Sequence, residues 1–211
     1  MPSHLMEILE DTRLIDKIKG KLPYLFALAE LEASRAGKIG MEVGSLREKI
    51  LIALLIYKFG EENVDVRLPI TEPEADVILF GYPISIKTIT GEGGVKAVWT
   101  VNAQSAREFI YKYSPQADIL LAQIKWNDRG ALYFIPLEVQ KTLFKELGTE
   151  RYFKLPKLGT NPRGVEFSKG VLLKLRQHDD TKEIKIFWRR AEAEISPYKA
   201  YERWLDYWEE E

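Results

Sequence analysis

Apolar residues recur at spacings of three and four over residues 5–35, and this period predicts an amphipathic helix. Leu14, Ile18 and Leu22 belong to the repeating set. Pro23 interrupts it, and because proline cannot donate a helical hydrogen bond we expect the helix to break or kink after Leu22. A glycine-rich stretch follows and predicts a loop.

A second helix is predicted over residues 45–59. Ser45 is a favourable N-cap, and Glu48 stands three residues later in the capping-box arrangement. The run that leads to Phe59 is almost wholly apolar, and Gly60 ends it. A helix that is apolar on nearly every side is expected to lie deep in the protein, against a sheet.

Strands and helices then alternate. Apolar and β-branched runs predict strands over residues 64–69, 75–80, 84–89, 119–125 and 131–136, and helical periods predict helices over residues 103–113 and 137–147. A glycine-rich loop covers residues 90–100. The last two strands flank a turn and should pair as a hairpin. This order of elements predicts an α/β core.

The pattern loosens after residue 138. Residues 151–190 are predicted to form turns and short strands, and residues 196–208 fit an aromatic-rich helix. No repeat or low-complexity linker divides the chain, so a single domain over residues 1–211 is expected. We divide it into a helical N-terminal part (1–44), a catalytic core (45–138) and a basic extension with a C-terminal helix (139–211).

Composition excludes several classes of site. The 211 residues contain no cysteine, which rules out disulfides, thiolate zinc sites and cysteine nucleophiles. His4 and His178 are the only histidines, which argues against histidine triads and His-rich metal sites. No apolar run reaches the roughly 18 residues of a membrane span, and the N-terminus lacks a signal-peptide pattern. A soluble, cytoplasmic protein is expected.

The net charge of −1 hides an uneven distribution. Residues 61–138 carry 7 basic and 11 acidic side chains, whereas residues 139–190 carry 13 basic and 6 acidic ones. Residues 191–211 carry 2 basic and 7 acidic side chains. The basic block is therefore the expected region of contact with a polyanion such as DNA, and the acidic tail is expected to face away.

Asp76 and Lys87 stand out because each lies in an otherwise apolar predicted strand. A turn centred between Gly81 and Tyr82 would put them directly opposite each other on one face of the sheet. A carboxylate and a lysine in this arrangement suit a metal-dependent phosphodiesterase, in which the acid holds Mg²⁺ and the lysine orients the attacking water. The alternative is a cross-strand salt bridge without a catalytic role.

One carboxylate binds Mg²⁺ poorly, so a second acid is needed. Ser85 stands where a strand-borne acid could be and carries no charge. Glu74 and Glu48 are the alternatives, and for Glu48 a role in capping the helix remains open.

A rival polar set lies farther along the chain. It comprises Asp118, Gln123, Lys125 and Glu138. These residues are better explained as polar side chains at strand ends and turns than as a catalytic group.

The order Glu48, Asp76 and Ser85-Ile86-Lys87 resembles a variant of the PD-(D/E)XK nuclease motif. With the segment GMEVGSLRE that leads to Glu48, the chain is similar to the ThaI family of type II restriction endonucleases. The resemblance spans about residues 30–138, and we expect it to extend to the whole chain. Two positions depart from the superfamily motif, since Ala75 replaces its proline and Ser85 replaces its second acid.

The resemblance implies a restriction-endonuclease-like fold, in which helices flank a mixed central sheet, and a Mg²⁺-dependent homodimer. It implies double-strand cleavage at the centre of CGCG, with blunt ends and 5′-phosphates. Glu48, Asp76 and the backbone carbonyl of Ile86 would bind the metal, and Lys87 would position the attacking water. Met41 would insert between base steps, and a cognate DNA methyltransferase would protect host DNA.

Basic side chains near these motifs are the candidate DNA contacts. They are Arg35, Lys38, Arg47, Lys96, Arg163, Arg189 and Arg190. For each, a phosphate contact is a simpler expectation than base recognition. Two other functions stay open: a structure-specific repair or junction nuclease of the same fold, and a DNA-binding module without catalysis.

Overall fold

A six-stranded sheet forms the centre of the protein, which we describe from a computed structural model covering residues 4–35, 38–39, 42–68, 74–98, 103–154, 164–190 and 202–209. The strands are β1 (Ser34–Arg35), β2 (Lys38–Ile39), β3 (Val64–Asp65), β4 (Val77–Leu79), β5 (Tyr82–Thr90), β6 (Lys96–Val98), β7 (Asp118–Ile124), β8 (Arg129–Ile135), β9 (Phe153–Lys154), β10 (Val165–Phe167) and β11 (Lys182–Phe187). The helices are α1 (Thr12–Glu32), α2 (Val43–Phe59), α3 (Ala103–Lys112), α4 (Leu137–Leu147), α5 (Thr149–Tyr152), α6 (Lys169–Gln177) and α7 (Glu202–Glu209), with 3₁₀ turns at His4–Glu10 and Glu61–Asn63.

The central sheet has the strand order β11-β8-β7-β5-β4-β3. β5 and β7 are parallel and the other neighbouring pairs are antiparallel, so the sheet is mixed. A second sheet has the order β6-β10-β9. The expected mixed central sheet flanked by helices is confirmed.

Helices cover both faces of the central sheet. α1, α2 and the first 3₁₀ turn bury one apolar cluster against it, and α3 to α6 bury a second cluster together with the smaller sheet. β7 is apolar along nearly its whole length because both of its faces are covered.

The first helix differs from its prediction. α1 continues through Pro23, and the interruption lies instead at Asp11, whose Oδ1 accepts a hydrogen bond from the backbone N of Leu14 at 2.9 Å. An interior proline costs about 3 kcal/mol. The helix tolerates it because Leu22 and Phe26, on either side, are buried in the core.

α2 begins two residues earlier than predicted. Glu42 is its N-cap residue and makes no side-chain capping bond, so Ser45 lies inside the helix and the predicted capping box is wrong. Gly60 ends the helix with a φ of +86°, as predicted. α2 packs against the central sheet as expected, through Leu51 and Leu55, but it does not lie as deep as predicted. Ile50, Ala53, Leu54 and Tyr57 of α2, together with α1, line an open apolar groove of about 350 Å³.

The segment after residue 138 contains more helix than predicted. α4 agrees with its prediction, but α6 was not expected. Earlier in the chain, the β7–β8 hairpin agrees with its prediction, whereas β6 was not expected. Ser168 caps α6, its Oγ accepting a hydrogen bond from the backbone N of Val171 at 3.2 Å. Of the predicted C-terminal helix, residues 196–201 lie outside the described part of the chain. No helix among the described residues is long and apolar enough to cross a membrane.

Candidate active site

The β4–β5 hairpin brings Asp76 and Lys87 together, but not in the predicted register. The turn lies at Phe80 and Gly81, which have φ values of +49° and +81°. Val77 therefore pairs with Ile84, and the backbone N of Asp76 donates to the Ile84 carbonyl at 2.9 Å. The pairing is shifted by two residues from the prediction. Because side chains alternate along a strand, a shift of two leaves Asp76 and Lys87 on one face.

Asp76 accepts three hydrogen bonds from β5. Its Oδ2 lies 2.6 Å from the backbone N of Ile86, 3.2 Å from Lys87 Nζ and 3.4 Å from Ser85 Oγ. The Asp76 and Lys87 side chains are 23% and 16% exposed, so solvent screens their ion pair only in part. These contacts fix the carboxylate and the ammonium at one side of an accessible cleft.

Glu48 extends into the same cleft from α2. Burial raises the pKa of the Glu48 carboxyl above its ordinary value, and the negative charge of Asp76 raises it further, while Lys87 opposes the shift. Because no capping box forms, Glu48 does not cap α2, which is the structural role that the sequence left open. Glu48, Asp76 and Lys87 thus share one partly desolvated site.

The cleft has a volume of about 340 Å³. Its walls come from the start of α2, the middle of β5 and the segment that leads into β6, and its lining includes Glu48, Asp76, Ile86, Lys87 and Lys96. No group of three or more His, Asp or Glu side chains suited to a metal occurs in the described residues. The carboxylates that line the cleft are those of Glu48 and Asp76, and the hydroxyl-bearing residues Ser45 and Thr88 line it as well.

Glu74, the other acid considered near Asp76, is engaged elsewhere. Its Oε2 accepts a hydrogen bond from the backbone N of Gln116 at 2.9 Å. Burial raises the pKa of Glu74, and hydrogen bonding and the charge of Lys87 oppose this. Glu74 anchors the segment before β7 and does not line the cleft.

Arg47 lies in the interior rather than on the DNA-facing surface expected from the sequence. It is 5% exposed, and its guanidinium forms an ion pair with Glu30, a residue that is itself 2% exposed. Burial lowers the pKa of Arg47, and the charge of Glu30 opposes this effect. A guanidinium enclosed in this way is not available to a phosphate in the observed conformation.

The remaining predicted DNA contacts divide into three groups. Lys96 lines the cleft, and Arg189 and Arg190 are exposed just after β11. Arg190 donates to Glu30 Oε2 at 2.7 Å and its guanidinium lies 5.4 Å from the Trp126 ring centre. Met41, Arg163 and the side chains of Arg35 and Lys38 lie outside the described part of the structure.

The rival polar set does not form a site. Asp118 Oδ1 accepts from the backbone N of Leu137 at 2.6 Å, and Gln123 Nε2 donates to the Gly91 carbonyl at 3.0 Å. Lys125 pairs with Glu92 and Glu138 with Lys141. Gln123 and Lys125 both bond Glu92, whereas Asp118 and Glu138 have other partners, so the four side chains do not converge on one site.

Sequence reasoning missed the buried group around Glu30. Trp126 Nε1 donates to Glu30 Oε1 at 2.8 Å, so this carboxylate joins α1 to the end of β7. A signal was present in the sequence. Glu30 follows Leu22 and Phe26 at intervals of four and therefore lies on the buried face of α1, where a carboxylate requires a cationic partner.

Comparisons with known proteins show what the whole chain is similar to. The family model described as restriction endonuclease ThaI matches residues 8–210. A solved structure described as a restriction endonuclease in complex with substrate DNA is 53% identical in sequence, with a TM-score of 0.89. That match covers 98% of this chain and 99% of the other. No curated protein matches the chain.

Proposed function

The chain belongs to the ThaI family of restriction endonucleases and is a type II nuclease, and from this premise we propose that it cuts both strands of duplex DNA in a Mg²⁺-dependent reaction. The observation that carries the proposal is the meeting of Glu48, Asp76 and Lys87 in one cleft. Duplex DNA as the ligand is supported by the solved relative, whose structure is a complex with substrate DNA.

The proposed metal ligands are Glu48, Asp76 and the backbone carbonyl of Ile86. All three are oxygen donors, which Mg²⁺ prefers over nitrogen and sulfur. The raised pKa of Glu48 supports a cation here, because two carboxylates in one desolvated site repel each other until positive charge is added. When bound, the ion supplies positive charge to the scissile phosphate.

Lys87 is the proposed orienting residue for the attacking water. Its ammonium, held 3.2 Å from Asp76 Oδ2, has two further N–H donors that can face the water and a non-bridging phosphate oxygen. Attack forms a bond from the water oxygen to phosphorus as the water releases a proton to solvent, and it breaks the bond from phosphorus to the 3′ oxygen, which takes up a proton from solvent. The products are a 5′-phosphate and a 3′-hydroxyl, and the ammonium stabilises the charge that develops in between.

The proposed target is CGCG, cut at its centre to leave blunt ends, as the family resemblance implies. A palindromic target and a double-strand cut require two active sites related by two-fold symmetry, so the proposed active form is a homodimer. A cognate DNA methyltransferase would protect the host DNA. We also treat residues 1–211 as one domain, because β11 of the basic extension pairs with β8 of the catalytic core.

The proposed DNA contacts are basic side chains together with Met41. Lys96 on its wall and Arg189 and Arg190 at the end of β11 are the described candidates. Met41, Arg35, Lys38 and Arg163 remain proposals from the sequence alone. Met41 is the proposed wedge between base steps, a role for which an apolar side chain in a loop is suited.

Cleavage of a matched pair of duplexes tests the function. One duplex carries a single CGCG and the other carries CGGC at the same position. We expect Mg²⁺-dependent blunt cutting of the first alone, and no cutting with a chelator. Cleavage confined to branched DNA would favour a structure-specific nuclease, and binding without any cleavage would favour a non-catalytic module.

The variant Glu48→Gln tests the site. It should lose cleavage without losing thermal stability, because the amide cannot supply the charge that a metal ligand needs. Glu42→Gln is the matched control, since Glu42 lies on the first turn of the same helix, is exposed and forms no side-chain cap. Normal cleavage by Glu48→Gln would remove Glu48 from the metal site.

A further inference from the structure

A charged network with Glu30 and Arg47 at its buried centre lies next to the cleft and joins α1, α2 and β5. Glu30 accepts hydrogen bonds from Arg47 and from Trp126 through Oε1, and from Arg190 through Oε2. Arg47 also donates from Nη1 to Thr90 Oγ1 at 3.2 Å. Thr90 is the last residue of β5, so one guanidinium connects three elements.

Stability alone does not account for this network. Burying an ion pair costs desolvation energy, and well-packed apolar residues of similar volume often stabilise a protein equally well or better. An apolar side chain makes no directional hydrogen bonds, whereas the planar guanidinium holds its N–H donors in a fixed geometry. Arg47 uses two of these donors to bond Glu30 on one side and Thr90 on the other.

The position of Arg47 in α2 links the network to the cleft. Successive helical residues point about 100° apart around the axis, so Arg47 and its neighbour Glu48 face different surroundings. Arg47 reaches α1 and the end of β5, while Glu48 lines the cleft. Lys87 lies three residues before Thr90 on the same strand. The bond between Arg47 and Thr90 therefore ties the turn that carries Glu48 to the strand that carries Lys87.

We propose that Arg47, held between Glu30 and Thr90, is a positioning residue that sets Glu48 relative to Asp76 and Lys87 and so determines how tightly the cleft binds its metal ion. This inference rests on the proposed function, because it takes Glu48 as a metal ligand. Residues that orient metal ligands from behind commonly contribute about 10- to 100-fold to metal affinity.

Thr90→Val is the principal test, since it removes the hydroxyl while it keeps the shape of the side chain and the pair between Glu30 and Arg47. We expect the Mg²⁺ concentration for half-maximal cleavage to rise about 10-fold, with the KM for DNA at saturating Mg²⁺ unchanged. The increase in Tm that Mg²⁺ gives the DNA-free protein should shrink in parallel. Thr90→Ser retains the hydroxyl and should restore both values.

Arg47→Lys keeps the charge but replaces the planar guanidinium with a single ammonium. We expect it to raise the Mg²⁺ midpoint by up to about 100-fold. Lys58→Met is the control on the same helix. It removes an ion pair to Asp11 of 2.9 Å at the other end of α2 and should leave the Mg²⁺ midpoint unchanged.

The two readouts separate the possible failures. If Thr90→Val and Arg47→Lys lower the Tm of the metal-free protein but leave the Mg²⁺ midpoint and the Mg²⁺-induced Tm increase unchanged, Arg47 is structural only and the proposal is overturned. A wild-type protein without Mg²⁺-stimulated cleavage contradicts the proposed function instead. In that case the Tm increase still reports whether Arg47 affects metal binding.

Discussion

Two groups of opposite charges meet at α2, and they differ in how their charges balance. Around Glu30, one carboxylate faces two guanidiniums and both of its oxygens accept hydrogen bonds. In the cleft, Glu48 and Asp76 lie with Lys87, Lys96 also lines the wall, and burial and the charge of Asp76 raise the pKa of Glu48. The first group satisfies its carboxylate internally, whereas in the second group the charged form of Glu48 is destabilised.

The two groups also differ in access to solvent. The Arg47 and Glu30 side chains are 6% and 3% exposed, and Lys87 and Asp76 line a cleft wide enough for solvent and a ligand. A buried carboxylate whose two oxygens are both paired holds elements together, whereas an accessible carboxylate whose charged form is destabilised can bind a cation. The comparison suggests that a carboxyl with a raised pKa in an accessible cleft, more than the presence of an ion pair, distinguishes a functional site in this protein.

The largest expected effect is on the cleft lysine. Lys87→Met should lower the single-turnover cleavage rate by about 1000-fold or more, because the charge on the reacting phosphate loses its ammonium. Its free energy of unfolding should change little, since Asp76 keeps the hydrogen bond from the backbone N of Ile86. If Lys87→Met cleaves DNA at nearly the wild-type rate, the Asp76–Lys87 pair is a salt bridge without a catalytic role.

A large loss of stability is expected for the buried group around Glu30. Glu30→Gln should lower the free energy of unfolding by about 3 kcal/mol, because Arg47 is left buried without a counter-charge. Urea denaturation of the metal-free protein measures this effect. If the loss does not exceed that of Lys87→Met, the two groups do not differ in the way proposed.

A smaller effect on stability should distinguish Glu48. Its folded-state pKa is raised above the ordinary value of 4.5, so ionisation of Glu48 costs folding stability. That cost is absent below the ordinary value and appears as pH rises through the raised pKa. Metal-free Glu48→Gln should therefore be more stable than the wild type at pH 7 and equal to it near pH 4.

Added Mg²⁺ should reverse this order at pH 7, because the ion stabilises the wild type alone. Thermal unfolding at the two pH values, with and without Mg²⁺, checks the sign. If the difference in Tm between Glu48→Gln and the wild type is the same at pH 4 and pH 7, ionisation of Glu48 does not destabilise the folded protein.

The smallest effect is expected at an exposed pair. Lys174 Nζ lies 3.0 Å from Glu146 Oε1, and both side chains are about half exposed. Lys174→Met should change the free energy of unfolding by less than about 1 kcal/mol and leave cleavage unaltered. A larger change would show that ion pairs on this surface matter more than their exposure suggests.

The sequence predicted the cleft better than its surroundings. Asp76 and Lys87 could be assigned to one face because strand alternation survives a register shift of two. The register itself could not be predicted, because it depends on Phe80 adopting a positive φ that non-glycine residues rarely take. Packing against His4 and Phe59, at ring distances of 4.4 Å and 5.7 Å, accompanies that conformation.

Other failures have similar tertiary causes. α6 was missed because lysine and arginine residues interrupt a short apolar pattern, although Ser168 is a recognisable cap. The interior position of Arg47 was missed because its partners Glu30 and Thr90 are distant in sequence. Local sequence patterns identify secondary-structure elements and their buried faces. Side chains that are distant in sequence and meet only in the folded protein have to be found from the structure.

The pairing of β6 with β10 also has a consequence for the order in which the molecule is made. Val165 and Glu166 pair with Val98 and Lys96, so the strand on one wall of the cleft is supported by a segment synthesised much later. Glu48, Asp76 and Lys87 all precede that segment in the chain. A nascent chain thus exposes its catalytic candidates before this wall has its partner strand, and closing so long a loop comes with an entropic cost that tends to delay the contact.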